Sequence, residues 1–270
     1  MMSDSLISIL NKIAILNPCS SNYQQQITFM IPYWMSRTQL LLGDEQLERL
    51  ISKHVLVVGL GGIGGICAEM IARSGVGKMT IVDADTIDLS NCNRQIPALH
   101  SESGKLKVDV MATRLKDINP QIELTVVSLF IKDEITDHIL DSVNFDYAVD
   151  CIDTLGPKVQ FIKACKDRNI PIVTALGAGG KVDPSMVQIT DISKTYKCTL
   201  AKYVRKKLHE VGIYENLKVV FSPEEIDATK VIVTEKAFPK KSIIGTISYM
   251  PAIFGCMVAS VVIRDLMESK

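Results

Sequence analysis

The feature that most constrains the fold is a glycine-rich turn in residues 53–64, KHVLVVGLGGIG. The apolar run at 55–58 contains β-branched residues and no polar alternation, which predicts a parallel strand buried on both faces. Gly59, Gly61 and Gly64 follow with G-x-G-x-x-G spacing. Glycines so spaced permit a tight turn, close approach of the backbone to a phosphate and close helix–strand packing.

The residues after this turn extend the pattern. A helix predicted over 63–73 would point its N-terminal amides at an anion. A second apolar run, 79–82, ends at Asp83, where a carboxylate suits the hydroxyls of a ribose. Strand, helix, strand and acid in this order predict a Rossmann-like nucleotide site. The alternative, glycines that serve only chain reversal, would require none of these features.

Composition limits the class of protein and its compartment. Of the 270 residues 47% are hydrophobic and 22% charged, as in ordinary globular proteins, and Lys+Arg and Asp+Glu balance at 30 each. Net charge therefore attracts the whole molecule neither to nucleic acid nor to anionic membranes. The seven cysteines form no C-x-x-C pair, which argues against a zinc site and a disulfide framework and favours a reducing cytoplasm.

Strands and helices alternate along most of the chain, which predicts an α/β fold: a Rossmann-like, mainly parallel sheet with helices on both faces. We expect an N-terminal arm without assigned role at 1–35, a nucleotide-binding core at 36–180 and a C-terminal continuation at 181–270. The predicted strands are 55–58, 79–82, 122–127, 145–153, 170–174, 186–190, 218–221 and 231–233. The predicted helices are 44–50, 63–73, 104–118, 133–140, 155–168 and 198–211.

The stretch 242–263 carries no charged residue and is long enough to cross a bilayer as a helix. Pro251, two glycines and several hydroxyl residues favour instead a helix packed on the sheet. Association of this helix with a membrane is left open.

Residues expected at the carboxyl ends of the strands carry the chemistry. They include Asn91, Arg94, Lys107 and Asp153. Two cations and a carboxylate suit a nucleoside triphosphate with a magnesium ion. Asp153 has an equal alternative as the N-cap of the next helix. A dehydrogenase is disfavoured because none of the four histidines is an obvious acid or base for hydride transfer.

Several motifs carry a resemblance over about residues 36–265. GLGGIG, DAD, SNCNRQ, GKLK and DCIDT resemble the ThiF/MoeB/HesA superfamily of ubiquitin-activating-type enzymes, which adenylate a carboxylate with ATP. RTQLLLG, NRQIPALH, ALGAGGKVDP, VVFSPEE and GTISYMPAIFG resemble the branch of tRNA threonylcarbamoyladenosine dehydratases. The resemblance implies ATP-dependent cyclisation of threonylcarbamoyladenosine at tRNA position 37, through an acyl adenylate that loses AMP.

The resemblance also implies roles for individual residues. It places ATP against Gly59, Gly61, Gly62 and Gly64, with Asp83 on the ribose and with Asp85 and Asn91 shaping the pocket. It assigns Arg94 and Lys107 to the β- and γ-phosphates and Asp153 to Mg2+, and it brings Arg37 from the second subunit of a homodimer. A monovalent cation and a cysteine desulfurase or sulfur-acceptor system are left open as further requirements.

Two alternatives remain beside this interpretation. An activator of a ubiquitin-like sulfur carrier would use a cysteine to take the acyl group. Cys198, after Gly180, is the candidate, although a lone cysteine is more often a packing residue. A non-catalytic nucleotide-binding scaffold would have no reason to keep Arg37, Arg94, Lys107 and Asp153 together.

The helix predicted at 198–211 contains several basic residues close together, and its other positions form an apolar face. We expect its cations to contact tRNA phosphates, the alternative being a solvated face. These cations are Lys202, Arg205, Lys206 and Lys207.

Overall fold

A computed structural model describes residues 14–15, 31–233 and 242–268. Most of the arm predicted at 1–35 lies outside these residues. The described part contains an eight-stranded sheet in the order β1-β4-β3-β2-β5-β6-β8-β7 and a separate two-stranded pair, β9 and β10. The strands are β1 (Ala14–Ile15), β2 (His54–Val58), β3 (Lys78–Val82), β4 (Glu123–Val127), β5 (Tyr147–Asp150), β6 (Ile172–Ala175), β7 (Gln188–Asp191), β8 (Lys218–Phe221), β9 (Val231–Val233) and β10 (Ser242–Ile244).

Strands β4, β3, β2, β5, β6 and β8 run parallel, while β1 and β7 pair antiparallel at the two edges. This confirms the prediction of a mainly parallel α/β sheet. The helices are α1 (Ser36–Leu42), α2 (Asp44–Ser52), α3 (Gly64–Arg73), α4 (Lys107–Ile118), α5 (Asp133–Ser142), α6 (Leu155–Asp167), α7 (Thr199–Glu210) and α8 (Tyr249–Glu268).

The apolar run of β2 divides its side chains between two cores. Val55 and Val57 pack with residues of α3, α4 and α8 on one face of the sheet. Leu56 and Val58 pack with residues of α5, α6 and α7 on the other. Because side chains alternate along a strand, the unbroken apolar sequence follows directly from helices on both faces.

The last apolar segment divides differently from the prediction. Residues 242–244 form β10, and α8 begins only at Tyr249, which places Pro251 in its first turn, where a missing N–H breaks no helical hydrogen bond. The helix packs along α3 and over β5, β6 and β8. It is apolar and long enough to span a membrane by composition, yet half of that stretch is buried inside the protein.

Two other predicted boundaries shift. The helix predicted from 104 begins at Lys107, because Leu106 bridges to Thr86 in an extended conformation and Gly104 has φ +85°. The helix predicted at 198–211 is α7, which ends at Glu210, so Val211 lies beyond it and is 39% exposed. The apolar face of this helix consists of Ala201, Val204 and Leu208.

A buried ion pair lies beneath the carboxyl ends of the central strands. Lys158 of α6 donates from Nζ to Asp150 Oδ2 at 2.7 Å, and both side chains are 0% exposed. The same ammonium donates to the Ala175 carbonyl at 2.9 Å, and Asp150 Oδ1 accepts from the Ile152 N–H at 3.0 Å. This pair joins β5, β6 and α6 to the loop that follows β5.

Candidate nucleotide site

The glycine-rich turn lies where β2 separates β3 on one side from β5 on the other, a switch point of the kind at which open α/β sheets bind ligands. Gly59 has φ +88°, and a Cβ atom there would lie 2.7 Å from the Cys151 carbonyl oxygen. A Cβ atom at Gly64 would lie 1.7 Å from the Gly59 carbonyl oxygen. Gly59 and Gly64 are therefore required by backbone contacts that leave no space for a side chain.

The other two predicted glycines have different surroundings. A Cβ at Gly62 would lie 2.9 Å from Pro251 Cβ, so the first turn of α8 closes one side of the turn. A Cβ at Gly61 would meet only Gln95, at 3.8 Å. Gly61 is thus the open point at which a ligand has access to the backbone.

Asp83 is hydrogen-bonded to the turn itself. Its Oδ2 accepts from the Leu60 N–H at 2.6 Å, and its Oδ1 accepts from the Asp85 N–H at 2.8 Å. Burial raises the pKa of the Asp83 carboxyl, and the nearby Lys107 ammonium opposes that effect. Each carboxylate oxygen has a second lone pair, so the group is still able to accept a bond from a hydroxyl.

Lys107 joins the same cluster from the start of α4. Its side chain is 6% exposed, and Nζ donates at 2.8 Å to Oδ2 of Asp85, whose side chain is 70% exposed. The Lys107 N–H also donates to the Asp85 carbonyl at 3.0 Å. The ammonium is thus held in a fixed place with an exposed carboxylate as its partner, and a ligand with more negative charge would compete for it.

Asn91 and Arg94 lie on the crossover between β3 and α4. Asn91 Oδ1 accepts from the Asp88 N–H at 3.2 Å and completes a capping box, so its carboxamide shapes the loop. Arg94 is half-buried and donates from Nη1 to the Ser90 carbonyl at 2.9 Å and to Asn93 Oδ1 at 2.8 Å. Asn93 in turn donates to the Thr246 carbonyl at 3.0 Å, which ties this crossover to the end of the chain.

Asp153 is exposed on the loop after β5, beside the Gly59 turn that packs on Cys151. Its Oδ1 accepts from the Thr154 hydroxyl at 3.2 Å. The alternative role as a helix cap is wrong, because α6 begins at Leu155 and its N-cap residue is Thr154. Within 31–233 and 242–268 no three His, Cys, Asp or Glu side chains are grouped to hold a metal ion.

The structure does not bring Arg37 to this site. Arg37 is exposed on α1 and shares a shallow pocket with Ser74 and Ile263. Ser74 follows the C-terminal end of α3, and a helix of its length measures about 15 Å. In this structure Arg37 thus lies at the opposite end of α3 from the glycine-rich turn.

The basic side chains of α7 differ in their exposure and in their bonding partners. Arg205 is half-buried and donates from Nη1 to the Thr195 carbonyl at 2.7 Å and to the Thr195 hydroxyl, while Lys207 pairs with Glu210 at 2.8 Å. Lys202 and Lys206 are exposed. Cys198 is 6% exposed and packs in the core beneath this helix.

Two features of the site were missed by sequence reasoning. The Asp150–Lys158 pair had a weak signal, an acid inside an apolar strand followed eight residues later by a lysine among buried helix positions. Contact of Pro251 with Gly62 had no local signal, since it depends on residues that are far apart in the chain.

Comparison with known proteins gives a consistent result. Residues 35–269 match the model of the ThiF family. The tRNA threonylcarbamoyladenosine dehydratase of Bacillus subtilis is 38% identical over 240 residues, covering 86% of this chain and 94% of that protein. The sulfur carrier protein ThiS adenylyltransferase of Escherichia coli is 34% identical over 150 residues, covering 53% of this chain and 59% of that protein.

A solved structure extends the comparison to the fold. The E. coli tRNA N6-threonylcarbamoyladenosine dehydratase in complex with ATP superimposes with a TM-score of 0.75 and 34% identity, covering 86% of this chain and 92% of that one. The same enzyme has been solved in complex with AMP, with TM-score and identity values of 0.75 and 34%.

The glycine contacts generate a prediction. Gly64→Ala should lower the free energy of unfolding by about 3 kcal/mol or more, because its methyl group overlaps the Gly59 carbonyl and forces the turn open. The matched control is Gly156→Ala on α6, where a Cβ atom has no neighbour within 4 Å. It should be neutral or stabilising by up to about 1 kcal/mol. Thermal and urea unfolding measure both; equal stability of the two variants would contradict the close packing.

Proposed function

The chain belongs to the ThiF family, and we propose that it is an ATP-dependent tRNA threonylcarbamoyladenosine dehydratase. The observation that carries the proposal is the single bonded unit formed by the glycine-rich turn, Asp83, Asp85 and Lys107, in a chain that aligns with 94% of the B. subtilis dehydratase. The sulfur-carrier adenylyltransferase is the weaker candidate, because its similarity covers only 53% of this chain.

In the proposed reaction the threonyl carboxylate, ionised at neutral pH, attacks the α-phosphorus of ATP and pyrophosphate leaves. The carbamoyl group then attacks the acyl carbon, the ring closes and AMP leaves, so the nucleoside loses one water. Neither step needs a strong base; positioning and charge stabilisation carry most of the rate. The dehydration transfers no sulfur, so the proposal includes neither a cysteine desulfurase nor a thioester on Cys198.

Within this proposal Asp83 accepts from the ribose, Gly61 and Gly62 face the phosphates, and Lys107 exchanges Asp85 for a phosphate oxygen. Arg94 binds the terminal phosphates by releasing Asn93, while Asn91 holds the crossover in shape. Asp153 would hold Mg2+, which when bound would neutralise part of the triphosphate charge. One carboxylate is sufficient for this, because Mg2+ takes most of its other ligands from phosphates and water.

A homodimer is part of the proposal because it places Arg37 in the partner's site. Tyr33, Leu40 and Leu41, all within four residues of Arg37 in the chain, are 93%, 85% and 82% exposed, which makes an apolar surface of the kind that a second subunit covers. We place the enzyme in the cytoplasm, with its tRNA substrate. The burial of half of the apolar stretch of α8 supports a core role for that helix rather than membrane association.

The experiment that tests the function incubates the protein with ATP, magnesium and tRNA bearing threonylcarbamoyladenosine, with and without potassium, and measures nucleoside mass after mild digestion. ATP-dependent loss of one water is expected. Arg94→Ala and Asp153→Ala should each lower the rate by at least about 100-fold, as removal of transition-state charge stabilisation does, with unchanged melting temperature. If the wild-type protein binds ATP but leaves the nucleoside unmodified, the carrier-protein activator is favoured. If either variant reacts at nearly the wild-type rate, the residue replaced in that variant is not part of the site.

The placement of Arg37 generates a subunit-mixing prediction. Arg37→Ala and Lys107→Ala should each be inactive, but a mixture allowed to exchange subunits should regain activity. The mixed dimer contains one site with a native Lys107 and a partner's native Arg37. The dehydration assay before and after exchange measures this, with Arg37→Ala mixed with itself as the control. A mixture that stays inactive although subunit exchange is verified would place Arg37 outside the partner's site.

The exposed lysines of α7 generate a prediction on tRNA binding. The double variant Lys202→Ala and Lys206→Ala should weaken tRNA binding and lower the slope of log affinity against log salt by about 1 to 2, since each phosphate contact contributes about one released ion. ATP affinity should not change. Lys53→Ala with Lys78→Ala, at the amino ends of β2 and β3, is a control of equal charge. Unchanged tRNA affinity at low and moderate salt would show that α7 is only a solvated face.

A further inference from the structure

A cluster of exposed apolar side chains, defined by three segments that are hydrogen-bonded to one another, lies beside the glycine-rich turn and has no part in the reaction as derived. Its members Val182, Ile232, Ile247 and Tyr249 are 60%, 65%, 42% and 40% exposed. They come from three segments: the loop after β6, the β9–β10 pair and the start of α8. Three segments that converge to expose apolar side chains beside a site indicate a recognition surface rather than scattered exposure.

Tyr249 is held in place within this cluster. Its hydroxyl donates to the Val182 carbonyl at 2.9 Å, and its backbone forms the first residue of α8. Pro251, two residues later, packs on Gly62 of the glycine-rich turn. The ring is therefore fixed at both ends while a large part of it faces solvent, so little side-chain entropy is lost when a ligand covers it.

The cluster is continuous with the nucleotide site. Thr246 accepts from Asn93, which is itself the acceptor for the Arg94 guanidinium. Gly180 donates to the Gly245 carbonyl at 2.7 Å, so the loop after β6 and the segment before α8 form one wall. A polymer whose modified residue reaches the turn has to pass its neighbouring residues along this wall.

We propose that Tyr249 stacks on an unpaired nucleobase directly adjacent to the modified adenosine, with Val182, Ile232 and Ile247 forming an apolar surround. This inference rests on the proposed function and names how the RNA is recognised at that site. Single-stranded RNA is typically bound by aromatic rings that stack on splayed bases, and every base offers a face for this contact. The contact would select an RNA strand over the free nucleoside.

The test measures the affinity of a fluorescent anticodon stem-loop for wild type, Tyr249→Leu and Tyr249→Phe. Three RNAs are used: one intact, one abasic on the 5′ side of the modified adenosine and one abasic on its 3′ side. Tyr249→Leu should weaken binding of the intact RNA by about tenfold. On one of the two abasic RNAs the same substitution should have no effect, because the base that it stacks on is already absent. Tyr249→Phe keeps the ring and should restore most of the affinity.

Melting temperature and ATP affinity of each variant show whether the fold is intact. If Tyr249→Leu unfolds, Tyr249→Met, which introduces an unbranched apolar side chain, replaces it in the same series. Equal losses on all three RNAs, or no loss on the intact RNA, would overturn the stacking contact. Failure of the proposed function is distinguishable from failure of the stacking contact, because the wild-type protein would then neither bind nor dehydrate the intact RNA.

Discussion

The arrangement at the carboxyl ends of the strands depends on the buried pair formed by Lys158 and Asp150. A charge with 0% exposure is tolerated only when it is paired and hydrogen-bonded, and here the remaining bonds go to the Ala175 carbonyl and the Ile152 N–H. Those bonds determine where the loop after β5 turns. The loop in turn places the Cys151 carbonyl against Gly59 and leads into Asp153, so one ion pair beneath the site sets the position of two of its parts.

Positive charge at the site is restrained before a ligand arrives. Lys107 pairs with an exposed carboxylate, and Arg94 is bonded to a carbonyl and to a carboxamide. Each of these three partners attracts a cation less strongly than a triphosphate does. Under the proposed function the exchange therefore favours the nucleotide, and neither cation is left unpaired before the nucleotide binds. If these cations bind the nucleotide as proposed, they already lie close to their working positions, which reduces the entropy lost on binding.

The sequence was most informative where one physical requirement fixes several residues. The two glycines with no space for a Cβ, the apolar strand between two cores and the acid after β3 were all predicted, because each follows from local packing or from spacing. Boundaries were less predictable: α4 starts late because Leu106 pairs with Thr86, a contact across the crossover. Arg37 could be assigned a role only by resemblance, since the structure places it at the opposite end of α3 from the turn. Pro251, whose presence in the sequence argued only against a membrane span, lies in the first turn of α8. Tyr249 was not singled out, because its surroundings come from three segments.

The contact between Pro251 and Gly62 has a consequence for how the protein is made. The glycine-rich turn is synthesised in the first quarter of the chain, but its wall is supplied by Thr246 and Pro251, near the end. A growing chain on the ribosome can form β2, α3 and β3 early, and its nucleotide pocket will nevertheless stay open on one side. The pocket is therefore completed only after residues 246–251 have left the ribosome, so this part of the fold forms late in synthesis.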